Sequence, residues 1–168
     1  MKDLFVLFAQ MASFMLPVLI VLLVVLLAVW VVCCIFYMKF CSACGHAHSG
    51  LVWVPVPGIP NIIVLQSMTL TGAVDYNNIL IYGVCCGMLA CMLLSGIPII
   101  GVVLGIVGWI CSIAYLVLML IGMYKVAALL GKNGVVYVLL AFLLPITQPF
   151  LFGSLAKGLN EYAEETYG

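Results

Sequence analysis

A charge-free run near the start of the chain is longer than one membrane crossing requires. No residue between Asp3 and Lys39 is charged. As a helix this run would be about 52 Å long, whereas the hydrocarbon core of a bilayer is about 30 Å thick. Pro17 therefore marks the predicted boundary between an interfacial or kinked lead-in over 4–16 and a first span over 17–38. The run is too long for the apolar core of a signal peptide, so we expect it to remain uncleaved.

The composition of the whole chain leads to the same class of protein. Hydrophobic residues make up 68% and charged residues 6% of the 168 positions, whereas a soluble domain carries about a quarter charged residues. Five lysines balance five acidic residues, and arginine does not occur, so the chain offers no basic face for nucleic acid. We therefore expect an all-α integral membrane protein whose first partner is the lipid bilayer.

Turn residues and lysines divide the remaining apolar sequence into three further predicted spans. These lie at about 79–94, 97–124 and 135–152, with a turn at 95–98 between the first two. Segment 51–65 contains Pro55, Pro57 and Pro60, which would break a lipid-exposed helix. We expect this segment to be interfacial or re-entrant, and a polar loop to follow it over 66–78. The pattern predicts a four-helix transmembrane bundle with a proline-rich interfacial or re-entrant segment.

The lysines predict how such a bundle would be oriented. Four spans would place Lys39, Lys125 and Lys132 on one face and Lys2 and Lys157 on the face of the termini. Basic residues collect on the cytoplasmic side of membrane proteins. A multi-pass protein of the cell membrane with both termini outside is therefore favoured, and a fifth span at 51–70 would reverse this orientation.

Small residues recur on one face of the second and third predicted spans. Gly83 and Gly87 are four residues apart in one span, and Gly101, Gly105 and Gly108 share a face of the other. Small residues allow helices in lipid to approach closely. We predict that the two faces meet in an antiparallel hairpin, and the alternative is a groove for a lipid or a partner helix.

The segment after the first span contains a cluster of thiols and imidazoles. Cys41, Cys44, His46 and His48 would complete a tetrahedral zinc set, although their spacing is more compressed than in usual sites. The alternatives are a redox dithiol, lipidation of the cysteines, or ordinary residues at a membrane boundary. Ordinary boundary residues are our expectation, and zinc is the one cofactor that the sequence suggests.

Two further groups of residues are candidate polar or partner-binding sites. Trp53, Pro55, Pro60 and Asn61 belong to the predicted interfacial segment, where a stiff backbone and an interfacial aromatic ring suit the docking of a partner. Thr147 and Gln148 form a polar break within the predicted fourth span. They would either line a solute or ion path or form an interhelical hydrogen bond.

The sequence does not support catalysis. The predicted spans contain no Asp, Glu, Lys or His, and intramembrane catalysis normally requires such residues. Ser42 with Lys39 is a conceivable serine–lysine pair, but we interpret it as a loop serine beside an anchoring lysine. We predict a protein without catalytic residues that acts as a subunit or accessory factor of a membrane assembly, through other membrane proteins or self-association. The alternative is a small oligomeric channel or transporter built around the proline-broken fourth helix.

Part of the chain resembles a known bacterial family. Lys39-Phe40, Leu51-Val52-Trp53-Val54-Pro55 and Pro60-Asn61 are similar to the interfacial stretch of a bacterial polytopic membrane domain, some members of which are described as signal peptidase I-like. Further matching elements are Gly96-Ile97-Pro98-Ile99, Lys125-Val126-Ala127, Gly131-Lys132 and Leu144-Pro145 with Pro149, Phe152 and Gly153. The resemblance covers residues 35–158. It implies a bacterial, polytopic membrane architecture and no enzymatic mechanism.

Overall fold

The described part of the protein is entirely helical. The computed structural model describes residues 2–56, 58–94 and 101–167. Its α-helices are α1 (Lys2–Ala43), α2 (Ile59–Leu70), α3 (Asn78–Leu94), α4 (Gly101–Leu129), α5 (Gly134–Leu143) and α6 (Gln148–Tyr167), and two 3₁₀ helices cover Ser49–Trp53 and Pro145–Thr147. Pro57 and the predicted 95–98 turn lie outside the described residues.

Two described helices are long and apolar enough to cross a membrane. They are Met15–Ala43, within α1, and α4, and their most apolar windows have mean hydropathies of 3.5 and 2.5. Pro17 lies inside α1, so the lead-in over 4–16 and the first predicted span belong to one helix, and the kink at this residue stays a prediction. A single proline removes one backbone hydrogen bond, and a 42-residue helix has enough others on both sides to continue.

The chain divides into two compact units, residues 1–34 and 35–168. The first unit consists of α1 residues, and almost all of its described side chains are exposed. The second unit contains the rest of the chain and most of the buried core.

Helices α3 and α4 pack as an antiparallel pair. A Cβ added to Gly87 of α3 would lie 3.0 Å from Cys111 Sγ of α4, and one added to Gly108 of α4 would lie 3.1 Å from Cys91 Cβ of α3. The contact that lies later in α3 lies earlier in α4, so the two helices run antiparallel, as the sequence predicts. Helix α4 continues past its predicted end at 124, because the exposed Lys125 side chain does not interrupt a helix.

The core of the second unit surrounds the C-terminal third of α4. Met119, Met123 and Val126 are buried there, whereas no α4 residue before Met119 is fully buried. Helix α2 packs on this region, and the Met68 side chain lies directly against Gly122. Apolar burial is therefore concentrated at one end of the α3–α4 pair, and most of the remaining α4 surface is exposed.

The proline-rich segment is shorter and more regular than expected. After the 3₁₀ helix Ser49–Trp53 the chain enters α2, whose first turn contains Pro60, a position that proline tolerates. The predicted polar loop over 66–78 is wrong in its first part, because 66–70 continue α2. Ser67 is accommodated in the core because its hydroxyl donates to the Ile63 carbonyl at 2.7 Å. At 12 residues α2 is about 18 Å long, too short to cross a bilayer.

The predicted fourth span is not one helix. Helix α5 ends at Leu143, before Pro145, and α6 then turns back along α5. Tyr137 of α5 and Ser154 of α6 share a hydrogen bond of 2.7 Å between their hydroxyl oxygens. The span over 135–152 is therefore wrong, since Pro145 and Pro149 lack the amide hydrogens that a continuous helix would need there. The described helices do not support a bundle of four spans.

Candidate functional site

Helix α1 ends within the segment that contains the four candidate zinc ligands. Gly45 has a φ of 78°, and the His46 amide donates to the Cys41 carbonyl at 3.0 Å while the Gly45 amide donates to Ser42 at 2.9 Å. This is the Schellman arrangement that closes a helix with a left-handed glycine. Cys41 is consequently buried inside α1 near Ser67, whereas Cys44 is half-buried at the end of the helix.

Both histidines belong to a small hydrogen-bonded loop. The His48 amide donates to His46 Nδ1 at 3.1 Å, and His46 Nε2 lies 3.4 Å from Gln66 Oε1. An Nδ1 that accepts a hydrogen bond carries no proton, so in the neutral ring Nε2 carries it and donates, and both ring nitrogens have protein partners. Gln66 in turn donates to the Tyr82 hydroxyl at 2.9 Å. The loop is thereby tied to α2 and α3.

The thiols and imidazoles do not converge in the described residues. Across the described ranges no group of three or more His, Cys, Asp or Glu side chains has an arrangement that could hold a metal ion. The zinc hypothesis stays a prediction. Burial raises the pKa of the Cys44 thiol, and the neighbouring Cys41 raises it further. Because the thiolate is the reactive form, this environment disfavours a redox dithiol at neutral pH.

The residues predicted to form a partner surface have separate surroundings. Trp53 is half-buried, and its indole Nε1 lies 3.3 Å from Met38 Sδ of α1. Pro55 is exposed in the short connection to α2. Pro60 and Asn61 are half-buried in the first turn of α2. Trp53 thus attaches the 3₁₀ helix to the end of α1.

Thr147 and Gln148 bind backbone carbonyls at the break after α5, of which those of Leu140 and Leu144 also accept from backbone amides. Thr147 Oγ1 donates to the Leu144 carbonyl at 2.7 Å and to Leu140 at 3.1 Å, and Gln148 Nε2 donates to Ala141 at 3.2 Å. The last carbonyls of a helix have no partners within it. Both polar side chains therefore turn toward the backbone at the tip of the α5–α6 hairpin, the antiparallel pair formed by residues 134–167.

An open groove lies beside the α3–α4 contact. It has a volume of about 400 Å³ and is lined by Met88, Cys91, Met92, Leu104, Gly105, Gly108, Trp109 and Ser112. A Cβ on Gly105, or on Gly83 of α3, would have no atom within 4 Å. Of the glycines predicted to pack the helices, Gly87 and Gly108 are at the contact, whereas Gly83 and Gly105 face open space.

A second, polar cleft separates the end of α1 from α6. It has a volume of about 570 Å³, and its polar lining comes from Lys39, Ser42, Ser49, Lys157 and Asn160. The sequence interpretation missed this site because it ended the last span at Phe152. The signal was present: Phe152, Leu155, Ala156 and Leu159 are spaced as one buried helical face, which leaves Ser154, Lys157 and Asn160 on the other.

Comparison of the chain with protein-family models, curated proteins and solved structures finds no match. The resemblance to a bacterial membrane family therefore stays a prediction.

Proposed function

We propose that this chain is a non-enzymatic integral membrane protein that acts as a subunit or accessory factor by binding a transmembrane helix of another membrane protein. The observation that carries the proposal is the open groove beside the α3–α4 contact. Within the described residues no helix packs over its small residues Gly105 and Ser112, although small residues allow close helix approach in lipid. The flanking Trp109 is 74% exposed and Met92 is 61% exposed.

The exposed apolar surface supports a multi-pass location in the membrane. Along α4, side chains such as Val102, Ile106 and Ile110 are each at least 60% exposed. Soluble proteins rarely expose so continuous an apolar surface to water. We propose that α1 and α4 cross the bilayer with α3 packed beside α4. In place of the fourth span, the α5–α6 hairpin enters the membrane and returns to the same face.

The tip of the hairpin has the properties that immersion in lipid requires. Leu143 and Ile146 are 67% and 71% exposed, so the outside of the tip is apolar. Thr147 and Gln148 point inward and bind backbone carbonyls. An unsatisfied carbonyl in hydrocarbon would cost several kcal/mol, about as much as the burial of any unpaired amide group. This inward pairing supports a re-entrant hairpin.

The hairpin changes the proposed orientation of the C-terminal part. Lys132 Nζ donates to the Ser154 carbonyl at 2.8 Å, so α6 returns to the level of the α4–α5 turn. One side of the membrane then has four lysines, Lys39, Lys125, Lys132 and Lys157. The other side has only Lys2, near the start of α1. We propose that this side is cytoplasmic and includes the C-terminal end of α6, whereas the start of α1 remains outside.

The channel alternative lacks a supporting observation. It requires Thr147 and Gln148 to face a solute path, but both residues donate to carbonyls of α5 or of the residue that follows it. We therefore do not propose a channel around the fourth predicted span.

Site-specific photocrosslinking in intact cells tests the proposed association. A photoreactive amino acid replaces Met92 in the groove, and the matched control replaces Ile79 on α3, which is 79% exposed and does not line the groove. Adducts with another membrane protein are expected from position 92 and not from 79. Gly105→Leu should abolish them without loss of folded protein, because the added side chain occupies the groove. Adducts with lipid alone, or only with copies of this chain, would contradict the proposal.

A further inference from the structure

The polar cleft between α1 and α6 joins two lysines that are far apart in the sequence. Lys39 and Lys157 both line it, together with Ser42, Ser49 and Asn160. They are two of the five basic residues in the chain. No carboxylate is among the lining residues that the structure describes, so the cleft is a concentration of positive charge and hydrogen-bond donors.

The neighbouring ion pair leaves Lys157 available for a ligand. Glu161 lies one helical turn away, with its Oε1 3.6 Å from Lys157 Nζ. The Lys157 and Glu161 side chains are 80% and 59% exposed. A solvent-exposed pair of this kind is weak, so an anion in the cleft can compete with the carboxylate.

The position of the cleft indicates which anion it meets. Lys39 is the first charged residue after the apolar run of α1, and the cleft wall includes Phe36 and Met38 on the side of that run. Phe36 also packs on Phe150, with ring centroids 5.2 Å apart, so the cleft wall on this side is apolar. A ligand in the cleft would therefore have its polar part against the lysines and its apolar part toward the hydrocarbon.

We propose that this cleft binds the phosphate of an anionic phospholipid head group. The two ammonium groups would neutralise the phosphate charge, and the hydroxyls of Ser42 and Ser49 with the Asn160 amide would donate to its oxygens. The cleft volume of about 570 Å³ lies within the range of small-molecule sites. The inference rests on the membrane location proposed above and does not depend on the partner helix.

The test compares lipid binding by the whole protein in nanodiscs of phosphatidylglycerol and of phosphatidylcholine. Lipids retained after transfer to mild detergent are measured by native mass spectrometry. The wild type should retain phosphatidylglycerol preferentially. Because each lysine near an anionic surface contributes about a five-fold factor, Lys39→Gln and Lys157→Gln should each weaken retention about five-fold and the double variant about 25-fold.

Two controls distinguish head-group binding in the cleft from a general effect of lysine charge and from binding of free phosphate. Lys125→Gln removes an exposed lysine outside the cleft, and because retention is measured in detergent, where no bilayer surface remains, this variant should retain phosphatidylglycerol like the wild type. Inorganic phosphate at millimolar concentration should not displace the lipid, since it lacks the apolar part. Displacement would assign the site to free phosphate and overturn the head-group proposal, as would equal retention by the wild type and the double variant. Failure of the wild type to enter nanodiscs would instead contradict the proposed membrane location.

Discussion

Replacement of Gly108 by alanine tests the close contact between α3 and α4. An added Cβ would lie 3.1 Å from Cys91 Cβ, whereas carbon atoms prefer separations of about 3.5–4.0 Å. Cys91 Cβ is fixed to the backbone, so the contact can be relieved only by moving one helix. Overpacking of this kind costs about 1–3 kcal/mol, whereas alanine in place of glycine within a helix gains about 0.5–1 kcal/mol.

Gly105→Ala is the matched control because it makes the same chemical change one helical turn away in open space. Both variants share the gain in helix propensity, so their difference isolates the contact, and we expect Gly108→Ala to be less stable by about 1–3 kcal/mol. Unfolding in mild detergent, followed by circular dichroism, measures this difference. Adding Cys91→Gly to Gly108→Ala should restore part of the stability. Equal stability of the two single variants would refute the close approach of the helices.

Three other changes test separate parts of the fold. Gly45→Ala should lower the free energy of unfolding by about 1 kcal/mol, because φ is 78° there, and Gly50→Ala should not. Phe152→Ala should lower the free energy of unfolding by about 3–5 kcal/mol, because the Phe152 ring is fully buried between two α1 aromatic rings. Phe142 is 59% exposed, so Phe142→Ala should lower it far less when both variants are compared by thermal denaturation. Burial raises the pKa of Tyr76 to about 12 from 10.0, so its stabilisation, present below pH 10, should disappear as pH rises through 12. Tyr76→Phe should remove that part of the pH dependence.

The sequence predicts elements that depend on local pattern. The apolar run before Lys39 and the small residues at Gly87 and Gly108 mark a long helix and a helix contact, and both are visible as spacing along one segment. Helix α3 occupies the second predicted span within one residue. Periodicity and composition are sufficient to predict an element when its structure depends on the residues of a single helix.

The parts that the sequence did not predict depend on which segments meet. Gly105 and Gly108 belong to the same stripe, but only the tertiary position of Cys91 distinguishes a contact from an open groove. Likewise, Lys39 and Lys157 share a cleft because α6 folds back along α5, and no local pattern near Lys39 carries that information. Pro145 and Pro149 predict a broken fourth helix, whereas their larger consequence in the structure is a reversal of chain direction.

The most direct test of the proposed architecture is the side of the membrane on which two positions lie. Ala128, near the end of α4, and Ala163, in α6, are both exposed. Each is replaced by cysteine in a background in which the native cysteines are changed to alanine, and an impermeant maleimide is added to either side of sealed vesicles. A re-entrant α5–α6 hairpin predicts labelling of both positions from the cytoplasmic side only. Labelling of positions 128 and 163 from opposite sides would contradict the re-entrant hairpin and restore a fourth span.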